Sequence, residues 1–317
     1  MKLNIKTSLL RATLIAASVL SIDASFAAPT GQLYTTPEKA VDGFIGAVRS
    51  FDVNTLTSVF GKEAAAIFVT DNTVADENNR KRFLELYDSQ HQLTKTKSGA
   101  MVLTVGSGQA AWPFPIPIVK TKKGWGFDTA AGSDEIFNRR VGRNELQTIQ
   151  TCLAIVAAQY EYYSRDRDGD GIREYAQVIR SSPGLRDGLF WPAEAGETQS
   201  PLGELFAAAA HEGYKAENTG YHGYRYKILS AQGPAAPDGA YDYVVRDNQI
   251  GGFAIYAYPA SYGESGVMTF IVNHSGVVYE QDLGEQSETE IGKLSTFNPD
   301  KGWVRVPAKD LAPIPEE

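Results

Sequence analysis

Apolar residues recur along this chain first at helical and then at strand spacing, and the sequence runs through that alternation twice. Thr36-Pro37-Glu38-Lys39 reads as an N-cap, a proline at the first helical position and a charged first turn. Val41, Phe44, Ile45 and Val48 follow at helical intervals. Further helices are predicted over Val53–Phe60 and about Asn78–Tyr87, where Phe83, Leu84 and Tyr87 form the apolar stripe. Strands follow at Ala100–Val105, Ile116–Lys120 and Trp125–Asp128, the last two joined as a hairpin through Thr121–Gly124. Pro113, Pro115 and Pro117 remove ladder donors and place their stretch at a sheet edge.

The second round opens on the longest seam. Leu146, Ile149, Leu153, Val156, Tyr160 and Tyr163 are spaced 3, 4, 3, 4 and 3, which predicts a helix over Asn144–Ser164 with one face in a core. Strands are predicted at Tyr224–Leu229, Tyr241–Val245, Gly252–Tyr258, Val267–Asn273 and Val277–Gln281. Asn273–Gly276 forms a hairpin turn, and Pro201–Glu212 and Glu288–Phe297 read as short helices. A long helix on an antiparallel meander is the expected assembly. The fold class is therefore α+β, with domains at residues 36–132 and 133–306, a flexible lead at 28–35 and a loose tail at 307–317.

The first 27 residues alter this picture. Lys2, Lys6 and Arg11 precede or open an apolar run from Ala12 to Ile22, and Ser25 and Ala27 are the small residues a signal peptidase needs before a cut. The run is too short to span a bilayer, which takes about 20 residues. The expectation is a cleavable signal at residues 1–27 and a periplasmic protein beginning at Ala28. The 317-residue chain has a net charge of −8; residues 1–27 carry +2, so the remainder stands near −10. Such a surface argues against nucleic acid and anionic lipid as partners. Cys152 is the only cysteine, closes no disulfide within the chain and reads as a buried structural thiol.

One segment carries chemistry. Asp166, Asp168 and Asp170 alternate, Gly171 follows, and Glu174 comes four residues after the third acid. Calcium takes six to eight oxygens in a forgiving geometry, so alternate carboxylates on a tightly turned loop suit it. The expected ligands are Asp166, Asp168, Asp170, the carbonyl of Ile172, and Glu174. Arg167 and Arg173 are expected to point outward. An EF-hand has its bidentate Glu at the twelfth position, where this loop has Gln177, so the loop is a shorter type and its Ca²⁺ structural. His91, His211, His222 and His274 are scattered and show no metal spacing. Arg139, Arg140 and Arg143 cluster before the long helix and are expected to pair with acids between the domains, or to grip an anionic ligand.

The first domain's order, helices and then a curled sheet, is similar to the nuclear-transport-factor-2-like cone. Four stretches resemble the exported bacterial family catalogued as domain of unknown function 2950: Ala111–Pro117, Trp125–Gly132, Asn138–Leu146 and Gly188–Pro192. Ser200–Gly203, Tyr221–Tyr224 and Gly263–Asn273 extend that resemblance. It implies export and assigns no activity. The second half is also similar to type IV pilin and pseudopilin heads, some of which bind calcium, but it lacks their leading hydrophobic helix. The expected function is a non-enzymatic envelope protein that binds a protein partner or small ligand. The alternative is a periplasmic hydrolase acting on cell-wall or polysaccharide material, its acids drawn from the scattered Asp and Glu.

Overall fold

A computed structural model describes residues 27–63, 67–68, 73–193, 197–211, 221–286 and 295–312. The expected signal peptide, but for Ala27, lies outside them. The protein is α+β, and two compact units divide it between Arg139 and Arg140.

In the first unit, α1 (Pro37–Ser50) is capped by Thr36, whose hydroxyl accepts the Lys39 amide at 3.2 Å. Helices α2 (Val53–Phe60) and α3 (Thr73–Ser89) follow. Strands β1 (His91–Lys95), β2 (Met101–Val105), β4 (Ile118–Thr121) and β5 (Gly124–Phe127) form an antiparallel sheet in that order. Strand β3 (Trp112–Pro113) pairs with the far end of β2, so the proline stretch takes only a two-residue share of the ladder. Strand β1 was not expected, because His-Gln-Leu-Thr-Lys carries a single apolar residue. The apolar faces meet around Phe44, whose ring lies 4.6 Å from Phe114 and 5.2 Å from Phe60.

The lead is docked rather than flexible. Tyr34 forms an antiparallel bridge with Trp125, and the Gln32 amide donates to the Ser58 carbonyl at 2.8 Å.

The long helix α4 runs from Thr129 to Tyr163, so it begins well before Asn144. Its start is set by Asp128, whose buried carboxylate accepts the Ala131 amide at 3.1 Å. Gly132 sits where a Cβ would come within 2.4 Å of the Ile116 side chain. The first turns, Thr129–Glu135, hold no large apolar residue, so no helical stripe marks them in the sequence.

Beside a parallel pair, β6 (Val178–Arg180) and β7 (Gly188–Phe190), the second unit is built on an antiparallel sheet of β17 (Val304–Arg305), β15 (Val278–Asp282), β14 (Met268–Asn273), β13 (Ala254–Pro259) and β8 (Tyr224–Leu229), in that order. Strand alternation divides its side chains between two cores. Ile255, Ala257, Phe270 and Val272 face α4, while Ala254, Tyr256 and Ile271 pack with Phe297 on the other side. The helix presents Ile149, Cys152, Ile155, Val156 and Tyr162. The expected seam is therefore rotated: Leu146 and Leu153 are only partly buried, and Tyr160 is 48% exposed. Glu145 is buried and its Oε1 accepts the amides of Val267 at 3.1 Å and Met268 at 2.9 Å, fixing where β14 begins.

Three other expectations change here. Tyr241–Val245 is two short strands, β10 (Tyr241–Asp242) and β11 (Val244–Val245). Thr296–Phe297, expected at the end of a helix, is strand β16, parallel to β9 (Ala231–Gln232); residues 287–294 lie outside the described set. Pro307–Ala312 is not loose: a 3₁₀ turn at Ala308–Leu311 packs Leu311 on the core, and Gln150 donates to the Leu311 carbonyl at 3.1 Å.

Candidate metal loop and its surroundings

The acidic loop begins where α4 ends. Its exit is anchored by Gln159, a fully buried side chain on the last turns of the helix. Gln159 donates through Nε2 to the Ala176 carbonyl at 2.8 Å and accepts the Ala176 amide at 2.9 Å. Between these fixed ends the chain curls through Gly169 and Gly171, at φ +83° and +85°, a region that glycine enters freely. The Asp166 carboxylate fills the curl, accepting the amides of Gly169 at 2.7 Å and Gly171 at 3.0 Å. These two bonds hold its carboxyl below the usual aspartate range. Asp168 accepts the Asp170 amide at 3.3 Å and Asp170 accepts the Ile172 amide at 2.7 Å.

The result brings three of the expected ligands together. Asp166, Asp168 and Asp170 each offer an oxygen, and these oxygens lie within 4.8 Å of one another on an exposed surface. Glu174 is not one of this trio; its Oε2 takes the Gln249 amide at 3.0 Å. Burial raises its pKa above the usual glutamate value, and the charges of Asp168, Asp170 and Asp166 push the same way against the Gln249 bond. Ile172 is tied to Asp170 through its amide and is 41% exposed.

The sequence did not reveal the partner that braces the loop. Strands β11 and β12 (Asn248–Gln249) form a hairpin through Arg246 and Asp247, both at positive φ. Asn248 donates to Asp170 Oδ2 at 2.9 Å, and the Tyr175 amide donates to the Gln249 carbonyl at 2.9 Å. The only signal was the Asp247-Asn248 pair at a turn, and nothing in it points to residues so distant in the chain. Tyr175 stacks on Tyr163 with centroids 4.6 Å apart, and burial pushes its pKa up to about 12.

Arg167 does not point outward. It turns back onto the end of α4, where Nε donates to the Tyr162 carbonyl and Nη2 to the Glu161 carbonyl, both at 3.3 Å. Arg139 pairs with Glu135 at 2.8 Å within α4 and donates to the Pro113 carbonyl at 2.8 Å. A small apolar pocket of about 80 Å³ lies elsewhere in the second unit, lined by Ile155, Ile179, Leu202, Phe206 and Tyr226. No helix among the described residues is long and apolar enough to cross a membrane.

The fold and loop define an α+β protein with an acidic loop braced against a hairpin. The family model described as a protein of unknown function (DUF2950) matches residues 31–306, and the chain belongs to that family. No curated protein and no solved structure matches it.

Proposed function

We propose that this is an exported protein of the bacterial envelope, non-enzymatic, whose second unit is held by one structural Ca²⁺ and which binds a partner or small ligand. The calcium reading is carried by one observation, the three aspartate oxygens within 4.8 Å of one another. Oxygens at a Ca–O distance of about 2.4 Å lie on a sphere about 4.8 Å across, so such a trio fits a single ion. Asp166, Asp168 and Asp170 supply these oxygens, with the Ile172 carbonyl and Glu174 completing the set. The ion would offset the repulsion among the acids and stiffen a loop that already bonds to Asn248 and Gln249. The apolar pocket supports binding of a small apolar group. The cone-like and pilin-head-like likenesses of the two halves belong to the same proposal.

The test is a melting curve of the mature protein in EDTA and in millimolar Ca²⁺. With free ion at about ten times the dissociation constant, linkage adds about 1.4 kcal/mol, or a few degrees. Asp168→Ala with Asp170→Ala should abolish the shift, and Mg²⁺ should replace Ca²⁺ poorly because it demands a tighter octahedron. Equal melting temperatures in EDTA and Ca²⁺ would refute the metal.

A further inference from the structure

In a chain with 38 acidic and 30 basic residues, arginines that gather on an aromatic ring and not in an ion pair need a physical reason. Two do so beside the loop. The Arg167 guanidinium carbon lies 5.4 Å from the Tyr162 ring centroid and 5.5 Å from that of Trp191. Arg186 reaches the same indole from a separate loop, at 5.6 Å. Its backbone is held there by Tyr162, whose hydroxyl donates to the Arg186 carbonyl at 2.7 Å. Trp191 is 5% exposed and its ring nitrogen donates to the Thr198 carbonyl at 3.2 Å, so the platform is fixed.

Neither arginine belongs to an ion pair among the described residues. Asp187, the acid next to Arg186, is engaged by the Ser182 amide at 2.8 Å and hydroxyl at 2.7 Å. Two cations on one indole, one of them half-buried, form an arrangement that an anion would complete.

We infer that Arg167 and Arg186, held over the Trp191 indole, form a binding site for an oxyanion, the carboxylate or phosphate group of an acidic ligand. A guanidinium presents its N–H groups as a flat fork that matches both groups. Arg167 already spends Nε and one Nη on the helix end, which fixes the plane of its fork, while Arg186 is exposed and open to solvent. The site does not depend on the calcium reading.

The experiment is calorimetric titration of the full mature chain with inorganic phosphate and, separately, with malonate. The protein is first stripped of calcium with EDTA and dialysed into chelator-free buffer, because the carboxylates of EDTA would themselves compete for the site, and ionic strength is held constant with chloride. Saturable one-site binding of either anion is expected, and which one binds more tightly tells a phosphate-bearing from a carboxylate-bearing source. Arg186→Gln should weaken it at least about tenfold, the range of one charge-assisted hydrogen bond, without altering the melting temperature. Arg167→Lys keeps the charge, loses the fork and should also weaken binding. Lys81→Gln, which removes a cation already paired with Glu77 at 2.7 Å, should leave it unchanged. Failure of both anions to saturate, wild-type affinity in Arg186→Gln, or an equal loss in Lys81→Gln would each overturn the assignment.

Discussion

Gln159 and Ala176 hold each other through both ends of one side-chain amide, at 2.8 and 2.9 Å, in a place no water reaches. The helix end and the loop exit are thereby locked in register, and the acidic curl between them is confined to a fixed span. Gln159→Leu would leave a buried peptide N–H and C=O without partners, at a cost of about 2–4 kcal/mol. Urea denaturation measures this, and a loss below about 1 kcal/mol would show that the pair is dispensable.

Calcium binding should depend on pH through Glu174. Its folded pKa is raised, so in the metal-free protein its ionisation costs stability as pH rises from the ordinary glutamate value through the folded one. A metal ion requires the ionised form, so affinity should increase across that same window. The calcium-dependent rise in melting temperature should therefore be smaller near about pH 4.5 than near pH 7, and Glu174→Gln should reduce the difference. Asp166 acts in the opposite sense: its pKa is lowered, and the stability it contributes is lost as pH falls through its folded value.

His222 gives a second pH dependence. It sits at φ +51° with its ring against Tyr221, and burial lowers its pKa to about 4. The unfolded chain binds a proton near the ordinary value of about 6.5. Stability should thus fall as pH drops from that value towards about 4, where the folded ring also becomes charged. Asn tolerates positive φ, so His222→Asn should keep the turn and flatten the slope in that window. Stability measured in urea across the range checks this, and an unchanged slope would assign the dependence to other groups.

Gly132→Ala sets two effects against each other. Alanine in a helix interior gains up to about 1 kcal/mol over glycine. The new Cβ would meet Ile116 Cγ1 at 2.4 Å and the Ile116 Cα at 3.0 Å, and such overpacking costs about 1–3 kcal/mol. Net destabilisation is expected because the contact includes backbone, which cannot swing away. Gly142→Ala, in the same helix with no atom near its Cβ position, should stabilise. Denaturation midpoints of the two variants decide the matter.

These cases show what was legible in the sequence. The α+β class followed from local periodicity, since α1, α2 and the main strands carry their own caps and alternation. The three aspartates were legible because their geometry is local to one curl. The hairpin at Val244–Gln249 was not, because hydrogen bonds across seventy-odd residues leave no mark on spacing. Arg167 was misread for a related reason: the loop's alternation suggests an outward side chain, but the carbonyls at the helix end and two aromatic rings give the guanidinium a better place.

Cys152 is wholly enclosed between α4 and the sheet, and burial drives its thiol far above the ordinary pKa. The thiolate is the reactive form, so the folded chain offers nothing to oxidants or to a neighbouring thiol. Only a molecule whose second unit has opened exposes the sulfur. The rate at which an added thiol reagent labels the protein is therefore a clock for that opening, built in at one position and free of any engineered probe.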